Sequence, residues 1–300
     1  MITIFSAMRP FRGEAADLQR NAIRSWLAVR PACEVVLIDD EEGTTPGAVA
    51  DLGVRTVSGV RRSGLGVPLF DSFLEAGAEN ATGDVLVCTT ADVLFPPNFA
   101  DVVASVERAM DGADYLLVSG RYDLARPIHV DFAEPGWFDA VRAEVWTARR
   151  PDYRSGIDTW VYPRRVRLRP PPFPVGRHGT DGWAVYDMKR RGIQVIDVTG
   201  ELCLVHQHHG KPAGRDPRFH EEMRDCARLF DGMAEHALNL LDADWLWRDG
   251  RLERPRGFRR LHSAMSLFRP YRFLVGQRRR LRLPHLYGSS VRLERRAKDC

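Results

Sequence analysis

Between residues 2 and 121, short apolar runs rich in β-branched residues alternate with segments of helical spacing. No other feature constrains the fold as tightly. Strands that are apolar on both faces need helices above and below them, which is the condition met in a largely parallel, doubly covered sheet. The runs predict strands at 2–7, 34–39, 54–57, 84–89 and 115–119, and helices at 15–29, 68–80 and 99–110. Pro68 suits a first helical position, and Asn98 is placed to cap the helix that follows Pro96 and Pro97.

Beyond residue 122 the pattern loosens. A strand is predicted at 157–162, a helix at 183–191 and strands at 194–197 and 202–206, while the prolines of 170–174 exclude helix interior. Phe219, Met223, Ala227, Phe230, Ala234, Leu238 and Leu241 recur at near-helical spacing and predict one amphipathic helix over 217–241. A hairpin follows, turning at Asp249-Gly250. The chain thus reads as an α/β unit in two halves, 1–121 and 122–216, then a packing helix and hairpin (217–255) and a basic tail (256–300).

Charge is distributed unevenly. The net charge is +4, yet residues 256–300 hold thirteen Arg or Lys against two acidic residues, so the rest of the chain is about seven charges negative. Apolar residues interleaved with those arginines make the tail a candidate for contact with an anionic membrane. No apolar run reaches the roughly 18 residues of a membrane span, and the first strand leaves no signal peptide, which places the chain in the cytoplasm or at the inner face of the membrane. Five scattered cysteines without C-x-x-C spacing argue against a disulfide framework or zinc knuckle.

In open α/β sheets ligands bind outside the carboxyl ends of strands. The predicted strands end in Ser6-Ala7-Met8-Arg9, Asp39-Asp40, Thr90-Ala91-Asp92 and His206-Gln207-His208-His209. The segment Ala81-Thr-Gly-Asp-Val-Leu-Val-Cys-Thr-Thr90-Ala91-Asp92 resembles, without a gap, the A-x-G-x, four apolar residues, D-x-D stretch of family 2 glycosyltransferases. Ile38-Asp39-Asp40 is similar to that family's nucleotide-contacting strand end, and Gly179-Thr180-Asp181-Gly182-Trp183 to its Glu-Asp motif. The resemblance covers roughly residues 1–210. It implies the GT-A fold, a nucleoside-diphosphate sugar donor, a divalent metal (Mn²⁺ or Mg²⁺), and a glycan, lipid-linked or small-molecule acceptor. Nucleic acid is not an expected partner.

On this resemblance Ala7, Arg9, Asp39, Arg62 and Asp92 are candidates for the nucleotide sugar, Arg9 and Arg62 because guanidinium matches phosphate oxygens. Thr90 replaces the first Asp of D-x-D, leaving Asp92 as one carboxylate that needs help to hold a metal. His206, with His208 as substitute, is the candidate partner. Asp181 is the candidate general base, with Thr180 standing where the family has Glu. Gly156, Asp158 and Trp160 are candidates for the acceptor side, Trp160 as a stacking face. Alternatives weighed against inverting transfer are retaining transfer, a metal-dependent hydrolase built on the histidines, and a basic module binding membranes or nucleic acid.

Overall fold

The computed structural model describes residues 1–148, 156–177, 180–209, 217–229 and 238–280. Its strands are β1 (Ile2–Ala7), β2 (Glu34–Ile38), β3 (Arg55–Val57), β4 (Val85–Thr89), β5 (Val93–Leu94), β6 (Tyr115–Val118), β7 (Arg121–Asp123), β8 (Thr159–Pro163), β9 (Gln194–Asp197), β10 (Leu204–His206), β11 (Trp245–Arg248) and β12 (Arg251–Glu253). Its helices are α1 (Gly13–Leu27), α2 (Thr45–Ala48), α3 (Phe70–Asn80), α4 (Phe99–Met110), α5 (Trp137–Ala148), α6 (Thr180–Arg190), α7 (Pro217–Leu229), α8 (Gly257–Ala264) and α9 (Arg269–Arg280).

The main sheet runs β12-β11-β9-β6-β8-β4-β1-β2-β3. Pairing is parallel from β4 through β1 and β2 to β3, and from β6 through β9 to β11. The inserted β8 runs antiparallel to both β4 and β6, so strands from the two predicted halves share one sheet. Alternate residues feed different cores, as the pleat requires. Ile4, Leu37 and Val87 face a cluster with Trp26 and Phe99, whereas Phe5, Ile38 and Cys88 face one with Phe73 and Trp183. Fully burying each such side chain contributes about 1.5–3 kcal/mol, and the doubly buried sheet explains the unbroken apolar runs. Gly77 of α3 lies so close to the Phe5 ring that an added Cβ would overlap it.

A second sheet, β5-β10-β7, sits at the end of β4. β10 pairs antiparallel with β5 and parallel with β7, placing His206 opposite both Val93 and Asp123. The hairpin β11–β12 turns at Asp249 and Gly250, whose φ values of 47° and 71° match the left-handed turn that twisted strands favour.

Several local expectations are corrected. Pro68 precedes α3, which starts at Phe70, and pairs with Arg62 in an isolated bridge. Asn98 occupies the cap position of α4 but its side chain makes no capping bond. α6 begins at Thr180, ahead of the predicted start. The helix predicted over 217–241 stops being helical before its expected end. Asn239 is extended and forms a capping box with Asp242 that starts a separate 3₁₀ turn, Leu240–Asp242. Residues 230–237 of that prediction, Gly179, and the tail beyond 280 lie outside the described residues. Among the described residues no helix is long and apolar enough to cross a membrane.

Candidate active site

A cleft of about 560 Å³ opens at the carboxyl ends of β1 and β4, where Ala7, Arg9, Asp92, Asp158, Asp181 and His206 all reach it. Thr90 and Ala91 carry the chain out of β4, and the backbone NH of Thr90 donates to the Asp158 carbonyl across the antiparallel pair. Helix α1 fixes the next residues: Trp26 Nε1 donates to the Val93 carbonyl at 3.0 Å, and Phe95 NH donates to Ser25 Oγ at 3.0 Å. Gln207 closes the other side by donating its NH to the Asp92 carbonyl. Asp92 therefore sits in a short turn between β4 and β5 that is pinned from both sides.

Around its carboxylate, Arg9 Nη2 lies 3.0 Å from Oδ2, and the Nε2 atoms of His206 and His209 each lie 3.7 Å from it. Among the described residues Asp92 Oδ1 is buried without a hydrogen bond. Burial alone would raise the Asp92 carboxyl; the charges of His206 and Arg9 reverse this and hold it below its usual range.

His206 Nδ1 lies 3.1 Å from Asp123 Oδ1, so the ring's other nitrogen is the one turned to Asp92. Arg121 bridges Asp123 at 3.0 Å and Asp158 at 2.8 Å. Gly156 packs closely on this bridge, where an added Cβ would stand 3.0 Å from Arg121 Cγ. Asp158 is raised above the usual carboxyl range by burial, against the pull of Arg121.

Asp181 lies in the first turn of α6, where the helix dipole favours a carboxylate. Its pKa is nevertheless pushed up to about 7, first by burial and then by the neighbouring charge of Asp158. Thr180 Oγ1 lies 3.2 Å from Asp181 Oδ1, so it touches the carboxylate it precedes.

The donor atoms of Asp92, His206 and His209 all lie within 4.8 Å of one another. One carboxylate and two imidazoles suit Mn²⁺ better than Mg²⁺, which prefers an all-oxygen shell. The buried, unbonded Oδ1 and the Asp123-oriented His206 ring both fit a resident cation, since a ligating imidazole is normally steadied through its other nitrogen.

Several predicted site residues sit elsewhere. His208 does not reach the cleft and His209 takes its place, because β10 ends at His206 and strand pairing no longer sets which side chain points inward. Arg62 donates to the carbonyls of Gly66 and Asp39, so its guanidinium ties down its own loop and does not line the cleft. Asp39 is buried, accepts the NH of Asp40, and likewise stands outside the lining, which Glu41 joins instead. Trp160 borders the cleft but is only 5% exposed and packs on Phe70 with ring centroids 5.9 Å apart, since β8 is sandwiched between β4 and β6. Arg121 and Asp123 are not among the residues the motifs single out, although they follow a predicted strand and their spacing of two puts both on one face.

No protein-family model and no curated protein matches this chain. Among solved structures, the chain is similar to a mannosyltransferase from Pyrobaculum calidifontis in complex with GDP-Man and Mn²⁺, with 17% identity and TM-score 0.46 over 92% of this chain and 72% of that one. It is similar to residues 1–349 of TarS from S. aureus in complex with UDP-GlcNAc, with 12% identity and TM-score 0.46 over 91% and 74% of the two chains. Glucosyl-3-phosphoglycerate synthase from M. tuberculosis gives 17% identity and TM-score 0.43 over 77% and 80%. None of these likenesses assigns a reaction to the present chain.

Proposed function

We propose that this protein is a metal-dependent glycosyltransferase that moves a sugar from a nucleoside-diphosphate donor to an acceptor hydroxyl with inversion. The observation that carries the reading is the convergence of two differently tuned carboxylates on one cleft. Asp92, held low, stands with His206 and His209, while Asp181, raised to about 7, stands apart from that trio. Environments that push two carboxylates in opposite directions suit one to charge binding and the other to proton transfer.

In this reading residues 1–121 hold the donor and 122–216 build the acceptor side. Asp92, His206 and His209 would hold a divalent cation, which when bound offsets charge on the diphosphate leaving group. Arg9, whose guanidinium already reaches the Asp92 carboxylate, pairs with a phosphate oxygen. Asp181 accepts the proton of the acceptor hydroxyl as its oxygen bonds to the anomeric carbon and the bond to the diphosphate breaks. The acceptor class that fits is a glycan, a lipid-linked sugar or a small alcohol.

The deciding experiment is a screen of UDP- and GDP-sugars with Mn²⁺ and Mg²⁺ that detects released nucleoside diphosphate. Release that disappears in both Asp92→Ala and Asp181→Asn supports the proposal. Release unchanged by both variants overturns the roles. The same Asp/His/His trio favours one other reading, a metal-dependent hydrolase; stabilisation of the chain by zinc alone, with no response to UDP or GDP plus Mn²⁺, would select it.

A further inference from the structure

Helices α8 and α9 pack against the domain with their polar side chains. His262, Ser263, Ser266 and Arg272 are all buried. His262 Nε2 and Arg272 Nη1 reach Asp242 Oδ1 at 3.0 and 3.2 Å, and Arg259 reaches Asp197 Oδ2 at 2.7 Å. Asp242 is fully buried, and the side chains of His262 and Arg272, with the Asn239 backbone, are what allow a carboxylate to sit there.

The outward side of the same segment is apolar. Leu261, Leu267, Phe268, Phe273 and Leu274 are 41–62% exposed, and they make up five of the eight exposed large apolar side chains among the described residues. An ordinary surface helix buries its apolar stripe, whereas this segment leaves a large share of its apolar side chains in water among exposed arginines. A cluster of this kind marks a surface that is covered in use.

Charge selects the cover. Residues 256–280 contain eight arginines and no acidic residue, and Arg256, Arg260 and Arg269 stand exposed beside the apolar cluster. A second copy docked face to face would set arginine against arginine, because a twofold interface pairs the same patch with itself. Residues 281–300 are no better matched, with five basic side chains against two acidic. Aromatic and leucine side chains that need a non-aqueous phase, flanked by cations that need anions, fit the headgroup boundary of an anionic bilayer, where arginine stems lie along the apolar layer and their heads meet phosphate.

We infer that the outward face of α8–α9 is a membrane-docking surface selective for anionic lipid, anchored to the domain through the Asp242 and Asp197 ion pairs. It is independent of the proposed chemistry in the cleft.

Flotation of the full chain with vesicles of phosphatidylcholine alone, or mixed with phosphatidylglycerol, tests this directly. The chain is expected to float with the mixed vesicles, not with the neutral ones, and to be released by salt. The double variant Phe268→Ser/Phe273→Ser should weaken partitioning roughly tenfold or more, with an unchanged melting temperature because both rings are exposed. Leu229→Ser, at an exposed apolar position outside the cluster, should bind as wild type. The inference is overturned if the chain ignores vesicles of both compositions, if it binds neutral and anionic vesicles alike, or if the double variant binds as well as wild type. It is equally overturned if the double variant instead dissolves a dimer seen by sedimentation velocity, or if a duplex oligonucleotide outcompetes the vesicles.

Discussion

The Nδ1 edge of the His206 ring rests on Asp123 at 3.1 Å while its Nε2 edge faces Asp92 at 3.7 Å. Removing the outer carboxylate should therefore act on the inner pair without touching it. Asp123→Ala is expected to weaken Mn²⁺ affinity by about 10–100-fold, the usual cost of losing the partner that steadies a ligating imidazole. Titration calorimetry with Mn²⁺ and UDP or GDP checks this, with His206→Ala as the more severe comparison. Equal affinities in wild type and Asp123→Ala would count against the arrangement.

Asp181 offers a pH signature. As a base it works when deprotonated, so kcat should rise through about pH 7 and level off above it. Asp181→Asn should lower kcat about 10²- to 10⁴-fold, remove that rise and leave donor binding intact.

The same carboxyl has a stability consequence of opposite sign. The folded chain keeps its proton up to about pH 7, whereas the unfolded chain releases it near the ordinary carboxyl value of 3.8. Between those values the unfolded state binds fewer protons, so stability falls as pH rises through that window. Asp181→Asn, which cannot ionise, should therefore melt higher than wild type at pH 8, by roughly a few degrees, and match it near pH 4. Thermal denaturation at the two pH values decides the point.

Arg121 spans Asp123 and Asp158, and Asp158 is largely buried. Arg121→Ala leaves that carboxylate without its partner and should cost about 2–3 kcal/mol, at the low end for a broken buried pair because the guanidinium keeps some contact with water. Adding Asp158→Asn should restore part of the loss in a urea denaturation series. Additive destabilisation would show the two side chains to be energetically independent.

Far from the cleft, Gly77→Ala is expected to destabilise the fold by about 1–3 kcal/mol, the range for overpacking a core. The new methyl would have to displace the Phe5 ring. Chemical denaturation measures the loss, and nucleotide binding below the melting transition should remain that of wild type.

How far the chain could be read in advance depended on the range of the interactions involved. Strands β1 to β4 and β6 and helices α1, α3 and α4 are visible because burial on both faces leaves a local record in residue type and period. Asp92 and His206 could be placed on one cleft because each directly follows or closes a strand, and sheet geometry gathers strand ends. The exchange of His208 for His209 has no local signature, since it turns on where the pairing of β10 ends. The use of Arg62 to hold its own loop was equally hidden, because a chain with 41 arginines gives no sign of which carbonyl each will meet.

The amino-acid sequence by itself determined the α/β class, the strand ends where polar chemistry gathers, and the concentration of arginine in the last 45 residues, all of which follow from local patterning. Only the tertiary structure decided that Arg121 and Asp123 stand behind His206, that burial and then Asp158 raise Asp181, and that the α8–α9 segment turns Arg259, His262 and Arg272 inward and Phe268 and Phe273 out. Those outcomes arise between residues tens of positions apart in the chain. Their energies come from burial and from charges brought within a few ångströms, and neither exists until the sheet has closed around them.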